Sequence, residues 1–327
     1  MLLEKALTLL EELPCIADAH VHLTEGQTLP GLGHELAAEY RVGLAQVMEI
    51  RPPVGRVARL PRGLLERVWE ASTPVLERLA PWLLEHYGDP GRLHAETLLF
   101  LSRFPPVPRR GHWGPGAVLL VYADPAPSRG REEVLRAAEE ATGEGARGFK
   151  LITTLHMVWP DGDSVAAVFE AAESLGVPVL AHAGCDPGIW ELPAFCAYGN
   201  PARMEKWIRE ARDTPVIIAH LGGYSAAAPG VFTEEAIGLA RRYPNVYLDT
   251  SAVPLEVLEV AVKDVDPGKL LHGSDYPVVE GDDPGRSAAR LAAALLAAGR
   301  ATRSVLERVF YRNLEEITGA RCRPLGS

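Results

Sequence analysis

Two histidines one residue apart, His20 and His22, close the run Asp18, Ala19, His20, Val21, His22. Side chains alternate along an extended chain, so both imidazoles share a face and can reach the same ion. The run ends a stretch that reads as a buried strand, Ile16 to His22, and supplies half of a metal site. Three later stretches have the same design, an apolar strand ending in a ligand-type residue: Val177 to His182, Pro215 to His220 and Leu270 to Asp275. Imidazole and carboxylate donors gathered in this way can hold a divalent cation, and with it the chemistry of activated water or a polarised carbonyl.

Such residues meet only if the chain brings the ends of distant strands together. Further strands are predicted at Val42 to Ile50, Ala117 to Tyr122, Gly145 to Ile152 and Val246 to Asp249, with helical stretches between them. Strand followed by helix, eight times over, predicts a closed parallel (β/α)8 barrel of the TIM type. A doubly wound open sheet would also alternate, but no G-x-G-x-x-G turn follows the first strand. The ligand-type residues also fall at the carboxyl ends of strands one, five, six and eight, and only a closed barrel gathers those ends round one axis. A single domain over residues 1–327 is expected, distorted by a helical insert at about 51–113 between strands two and three.

The insert opens with Arg51, Arg56, Arg59 and Arg62, then carries apolar residues at helical spacing from Leu64 to Leu83. Two or three helices are expected there, with Pro74 in a first turn, where a missing N–H costs nothing. The arginines read either as a solvated, salt-bridged face or as a lid for a carboxylate or phosphate, with Arg51 nearest the mouth. Before the insert, a glycine-rich loop is expected at Thr24 to Gly33 and a short helix at His34 to Tyr40.

A chain of 327 residues with 47% hydrophobic content can bury a large core. Its net charge of −10 and lack of a long basic run argue against nucleic acid as a partner. No stretch is apolar enough to span a membrane, and Met1 to Leu13 reads as an amphipathic helix, not a signal peptide. The four cysteines have no Cys-x-x-Cys spacing and are too few for a disulfide framework, so a reducing, cytoplasmic setting is expected. Cys185, close after His182, is a candidate soft ligand or nucleophile, or simply a packed small hydrophobe.

DAHVH at 18–22, GFKL at 148–151, VLAHAG at 179–184, IIAHLGG at 217–223, NVYLDTS at 245–251 and HGSDYP at 272–277 come in an order that resembles the amidohydrolase superfamily. The resemblance is closest to its amidohydrolase-2 branch, which includes metal-dependent hydrolases and the aminocarboxymuconate-semialdehyde decarboxylase group. It implies His20, His22, His182 and Asp275 as ligands of one divalent metal, zinc foremost and manganese as the alternative. It implies His220 as a substrate-facing catalytic group and Asp275 as the proton carrier. Lys150 is then a candidate bridge between two metals, or else a buried lysine paired with a carboxylate, and Asp18 orients a ligand.

The implied reaction is hydrolysis of an amide, ester or lactone carbonyl by metal-activated water. The alternative is non-oxidative decarboxylation of an unsaturated or aromatic acid, and the third reading is a barrel that only binds. The implied partner is a small molecule, with a second copy of the chain as a further candidate. His156 and His112 are candidates for the substrate side because His156 follows strand four, whereas His272 should face away from Asp275.

Overall fold

The short apolar runs bounded by turn residues form eight parallel strands: β1 (Ile16–His22), β2 (Val42–Met48), β3 (Val118–Ala123), β4 (Gly148–Leu151), β5 (Val179–Ala181), β6 (Val216–Ile218), β7 (Val246–Asp249) and β8 (Leu270–Leu271). Neighbours in sequence are neighbours in the sheet, from β1 round to β8. Backbone hydrogen bonds then close the ring. The Ala19 amide donates to the His272 carbonyl (2.9 Å), Asp275 to His20 (2.7 Å) and His22 to Tyr276 (2.7 Å). This is the predicted (β/α)8 barrel, described for residues 2–109 and 116–324 by a computed structural model.

Helices cover the outside. They are α1 (Leu2–Glu11), α2 (Leu29–Tyr40), then α3 (Val54–Val57), α4 (Arg62–Leu79), α5 (Pro81–Tyr87) and α6 (Pro90–Leu101) in the insert. From β3 onward come α7 (Arg131–Gly143), α8 (Thr153–His156), α9 (Asp163–Leu175), α10 (Pro193–Cys196), α11 (Glu205–Glu210), α12 (Thr233–Arg242), α13 (Leu255–Asp264), α14 (Pro284–Ala297), α15 (Arg303–Glu307) and α16 (Asn313–Thr318). Among the described residues no helix is long and apolar enough to cross a membrane.

Two layers of core follow from the strand period. Outward residues such as Val42, Val47, Val121, Phe149 and Val179 pack against helices. Inward residues such as Ala17, Leu44, Tyr122, Leu180, Ile217 and Leu271 fill the barrel. Tyr122 fits inside because β4 presents Gly148 beside it: a Cβ there would lie 2.5 Å from the phenol ring. The amino-terminal end of the barrel is plugged by the tail, whose Arg323 amide donates to Gly43 O (3.3 Å).

Several local expectations are corrected. The glycine-rich stretch is not all loop, because α2 begins at Leu29: Thr28 caps it by accepting from the Gly31 amide, and Pro30 lies in its first turn. Pro74 lies inside α4, not at a helix start. Ser72 and Thr73 just before it bond back to the carbonyls of Val68 (2.7 Å) and Trp69 (2.9 Å). Among its described residues the insert holds four helical segments, α3 to α6, where two or three helices are expected.

The cysteines are paired: Cys15 with Cys322, whose Cα atoms lie 6.1 Å apart, and Cys185 with Cys196 at 4.6 Å. Cys185 is thus neither a free ligand nor a nucleophile. Spacing along the chain cannot reveal a pair separated by 307 residues, which the tail brings together only by folding back under β1.

Candidate metal centre

Each strand-end residue enters the barrel mouth from its own strand. The pairing of β1 with β2 slips between Asp18 and Val21, a bulge of the kind that re-aims side chains at barrel rims. It leaves the rings of His20 and His22 5.1 Å apart. β5, β6 and β8 end before His182, His220 and Asp275, so these three lie just beyond the regular ladder. His220 (φ 57°) and Asp275 (φ 64°) are left-handed. That conformation costs a non-glycine residue about 1–3 kcal/mol and persists only where the surroundings impose it. Here they do: Asp275 donates its amide to His20 O, and His220 accepts at its carbonyl from the Gly223 amide.

The polar atoms converge. His22 Nε2 lies 3.0 Å and His20 Nε2 3.4 Å from Asp275 Oδ1. Ligand atoms of His20, His220 and Asp275 all fall within 4.8 Å of one another. The His182 ring stands 5.0 Å from that of His220, and its buried Nε2 has no hydrogen-bond partner. Asp186 Oδ2 is 3.3 Å from that nitrogen but is not aligned to bond it.

A layer behind these residues fixes their aim. Asp249 Oδ2 accepts from His20 Nδ1 (2.7 Å), which leaves the Nε2 lone pair facing the centre. Ser251 Oγ bonds Asp249 Oδ2 (2.7 Å) and reaches His220 Nδ1 (3.0 Å). Asp18 Oδ1 accepts the amides of His20 and Ser274, both at 3.0 Å, and so staples the seam between β1 and the turn after β8.

Burial governs the protonation states. It drives His20 and His182 well below the ordinary histidine range, with Lys150 pushing the same way, and it also lowers His22 and His220. Burial alone would raise Asp275, but the imidazoles of His20, His22 and His220 outweigh it and hold the carboxyl well below the usual carboxylate range. Neutral imidazoles around an ionised carboxylate are the forms that coordinate a cation. Lys150 is lowered to about 8 and Asp186 is raised to about 7, each chiefly by burial.

Other candidates fall in varied places. Lys150 Nζ lies 2.8 Å from His20 Nε2, in the centre itself. Arg51 stands at the rim, its Nε 3.2 Å from Glu49 Oε1. His156 is held away from the centre by Asp124 and Ser128. His272 faces out, with Nδ1 donating to Ala17 O (2.9 Å) and its ring against Phe310. His112 lies outside the described residues. Sequence reasoning overlooks Asp186 and the roof of the cavity, and it gives no role to Asp249 and Ser251 although both fall in NVYLDTS. Phe100 and Phe104, from the end of the insert, cover a narrow space over the imidazoles, and the Phe104 ring lies 5.8 Å from that of His22.

A closed parallel barrel with a buried cluster of histidine and aspartate at the carboxyl ends of its strands defines a class of enzyme scaffold, and comparison with known proteins places the chain within it. The Amidohydrolase family profile matches residues 111–317, so the chain belongs to that family. The match begins after β1 and therefore does not include His20 and His22. No curated protein matches the chain.

Among solved structures, 5-carboxyvanillate decarboxylase from Sphingomonas paucimobilis is similar at 12% identity and a TM-score of 0.52, covering 94% of this chain and 100% of that one. A 2,6-dihydroxybenzoate decarboxylase from Rhizobium gives 12%, 0.51, 94% and 99%. A dihydroorotase gives 13%, 0.52, 95% and 70%. At such identities the likeness is one of fold.

Proposed function

We propose that the protein is a metal-dependent hydrolase of a small organic substrate, acting at an amide, ester or lactone carbonyl. In this reading His20, His22, His182 and Asp275 hold one divalent cation, zinc or manganese, and His220 faces the substrate. The observation that carries the reading is the convergence of buried imidazoles on the ionised Asp275 carboxylate, with His182 Nε2 left unpartnered beside them. Borderline nitrogen and hard oxygen donors suit such an ion. Bound there, such an ion would supply Lewis acidity and would acidify water at the site, to a pKa of about 7 in the best-studied zinc sites.

The chain's own groups do the rest. Asp275 takes the proton of the attacking water and passes it to the leaving group. The Ser251 hydroxyl donates to Asp249 and the Ser251 carbonyl accepts from His220 Nδ1 (3.2 Å), so the Nε2 lone pair of His220 faces the substrate, where it takes up and returns a proton. The roof of Phe100 and Phe104 excludes bulk water and favours a compact or planar substrate. In the variant reading of this centre a second cation would be held with the help of a carboxylated Lys150.

The same aromatic roof favours a second reaction, decarboxylation of an unsaturated or aromatic acid, in which His220 or Asp275 delivers a proton to carbon. Two of the similar structures are decarboxylases of aromatic acids. Assay of the cation-loaded protein on lactones, amides and unsaturated acids, with carbon dioxide trapped, separates the two. Turnover of a lactone or amide without carbon dioxide, abolished by chelator and restored by zinc or manganese, is expected. Carbon dioxide from an unsaturated acid would replace hydrolysis with decarboxylation, and inertness toward all three classes would overturn both.

A further inference from the structure

Outside the metal centre, three residues from two loops form a hydrogen-bonded relay. Ser128 Oγ lies 2.9 Å from His156 Nδ1, and His156 Nε2 lies 3.0 Å from Asp124 Oδ2. Asp124 follows β3, Ser128 sits in the next short turn, and His156 ends α8 beyond β4. Asp124 and His156 are each only 1% exposed, whereas Ser128 is half-buried. None of the three lines the metal cavity.

The arrangement is rigid where a relay needs it to be. Asp124 accepts the Ala126 amide at Oδ1 (2.7 Å) and the Arg51 amide at Oδ2 (2.9 Å), which fixes its plane. The His156 carbonyl is held by Arg56 Nη1 (3.2 Å). With Asp124 Oδ2 accepting the Nε2–H, the Nδ1 lone pair faces the serine hydroxyl: a base beside a nucleophile, oriented by a third group. Shortly after Ser128, Gly130 precedes the first residue of α7, and no side chain caps the helix there.

We propose that Ser128, His156 and Asp124 form a second, metal-independent nucleophilic site that takes acyl groups from small activated esters. Ser128 Oγ bonds to the ester carbonyl carbon as His156 Nδ1 accepts its proton. The ester C–O bond breaks, the proton leaves with the alcohol, and water then hydrolyses the acyl-serine to acid and free serine. No oxidant or further co-reactant is required.

The test is reaction of the full-length protein with a fluorophosphonate, in which Ser128 Oγ displaces fluoride from phosphorus and the proton leaves as HF. Adducts are mapped by peptide mass spectrometry, with and without chelator. One adduct per chain on Ser128 is expected, unchanged by chelator, absent in Ser128→Ala, and formed about 10²-fold or more slowly in Asp124→Asn and His156→Gln. Ser128→Ala removes one hydroxyl from a half-buried residue, so its melting curve should overlay that of the native protein. No adduct on Ser128, or an equal rate in either relay variant that retains the native melting curve, would overturn the site. The chelator arm keeps this result separate from the fate of the metal reading.

Discussion

At the scale of single residues, the centre depends on side chains that touch no substrate. Asp249, two strands round the barrel and 229 residues away in sequence, holds His20 by one hydrogen bond. Replacing Asp249 by Asn puts an amide where the carboxylate accepted and frees His20 to turn over. Metal affinity should fall about 10–100-fold, as is usual when such an orienting partner is lost. Competition against a chromophoric chelator measures this, and an unchanged affinity would show that Asp249 does not orient the ligand. His20, His22, His182, His220 and Asp275 are legible in the sequence because each closes an apolar run with a ligand-type residue. Asp249 also closes such a run, VYLD, but its partner is set by barrel closure and no local spacing reveals it. Asp186, in the loop after β5, gives no signal beyond lying four residues past His182.

At the scale of elements, the strands are readable from apolar runs, but their ends are not. The reading carries β5, β6 and β8 through to His182, His220 and Asp275, whereas the regular ladder stops earlier and the chain turns. His220 and Asp275 are left-handed there, a choice made by tertiary contacts and not by local propensity. The insert is readable as helical, since its apolar spacing is plain, but its role as a roof is not, because Phe100 and Phe104 reach the imidazoles only in three dimensions. Inside the barrel, Tyr122 and Gly148 divide one volume between adjacent strands. Gly148→Ala should therefore cost about 1–3 kcal/mol through overpacking. In a Tyr122→Leu background the same change should cost less, because the two sites are in contact. Urea unfolding of the four proteins gives this coupling, and strict additivity would rule out the shared volume.

At the scale of the whole molecule, the chain closes on itself twice. The seam from β1 to the turn after β8 completes the barrel and gathers the candidate metal ligands in the same stroke, since His20, His22 and Asp275 take part in its hydrogen bonds. The tail then returns beneath the barrel, where Cys322 pairs with Cys15. A non-reducing peptide map should show the 15–322 and 185–196 links, and reduction should cost about 2–5 kcal/mol of stability, in line with removal of native disulfides. Four thiols titrating in the native protein would contradict the pairing. The central claim concerns the centre itself, and metal content per chain tests it most directly, by elemental analysis of protein purified without chelator or metal-affinity resin. The account predicts about one zinc or manganese per chain, lost in His182→Ala and retained in His220→Ala. About two per chain would place Lys150 between two cations, whereas no bound metal after reconstitution, in a protein that remains folded, would contradict the account.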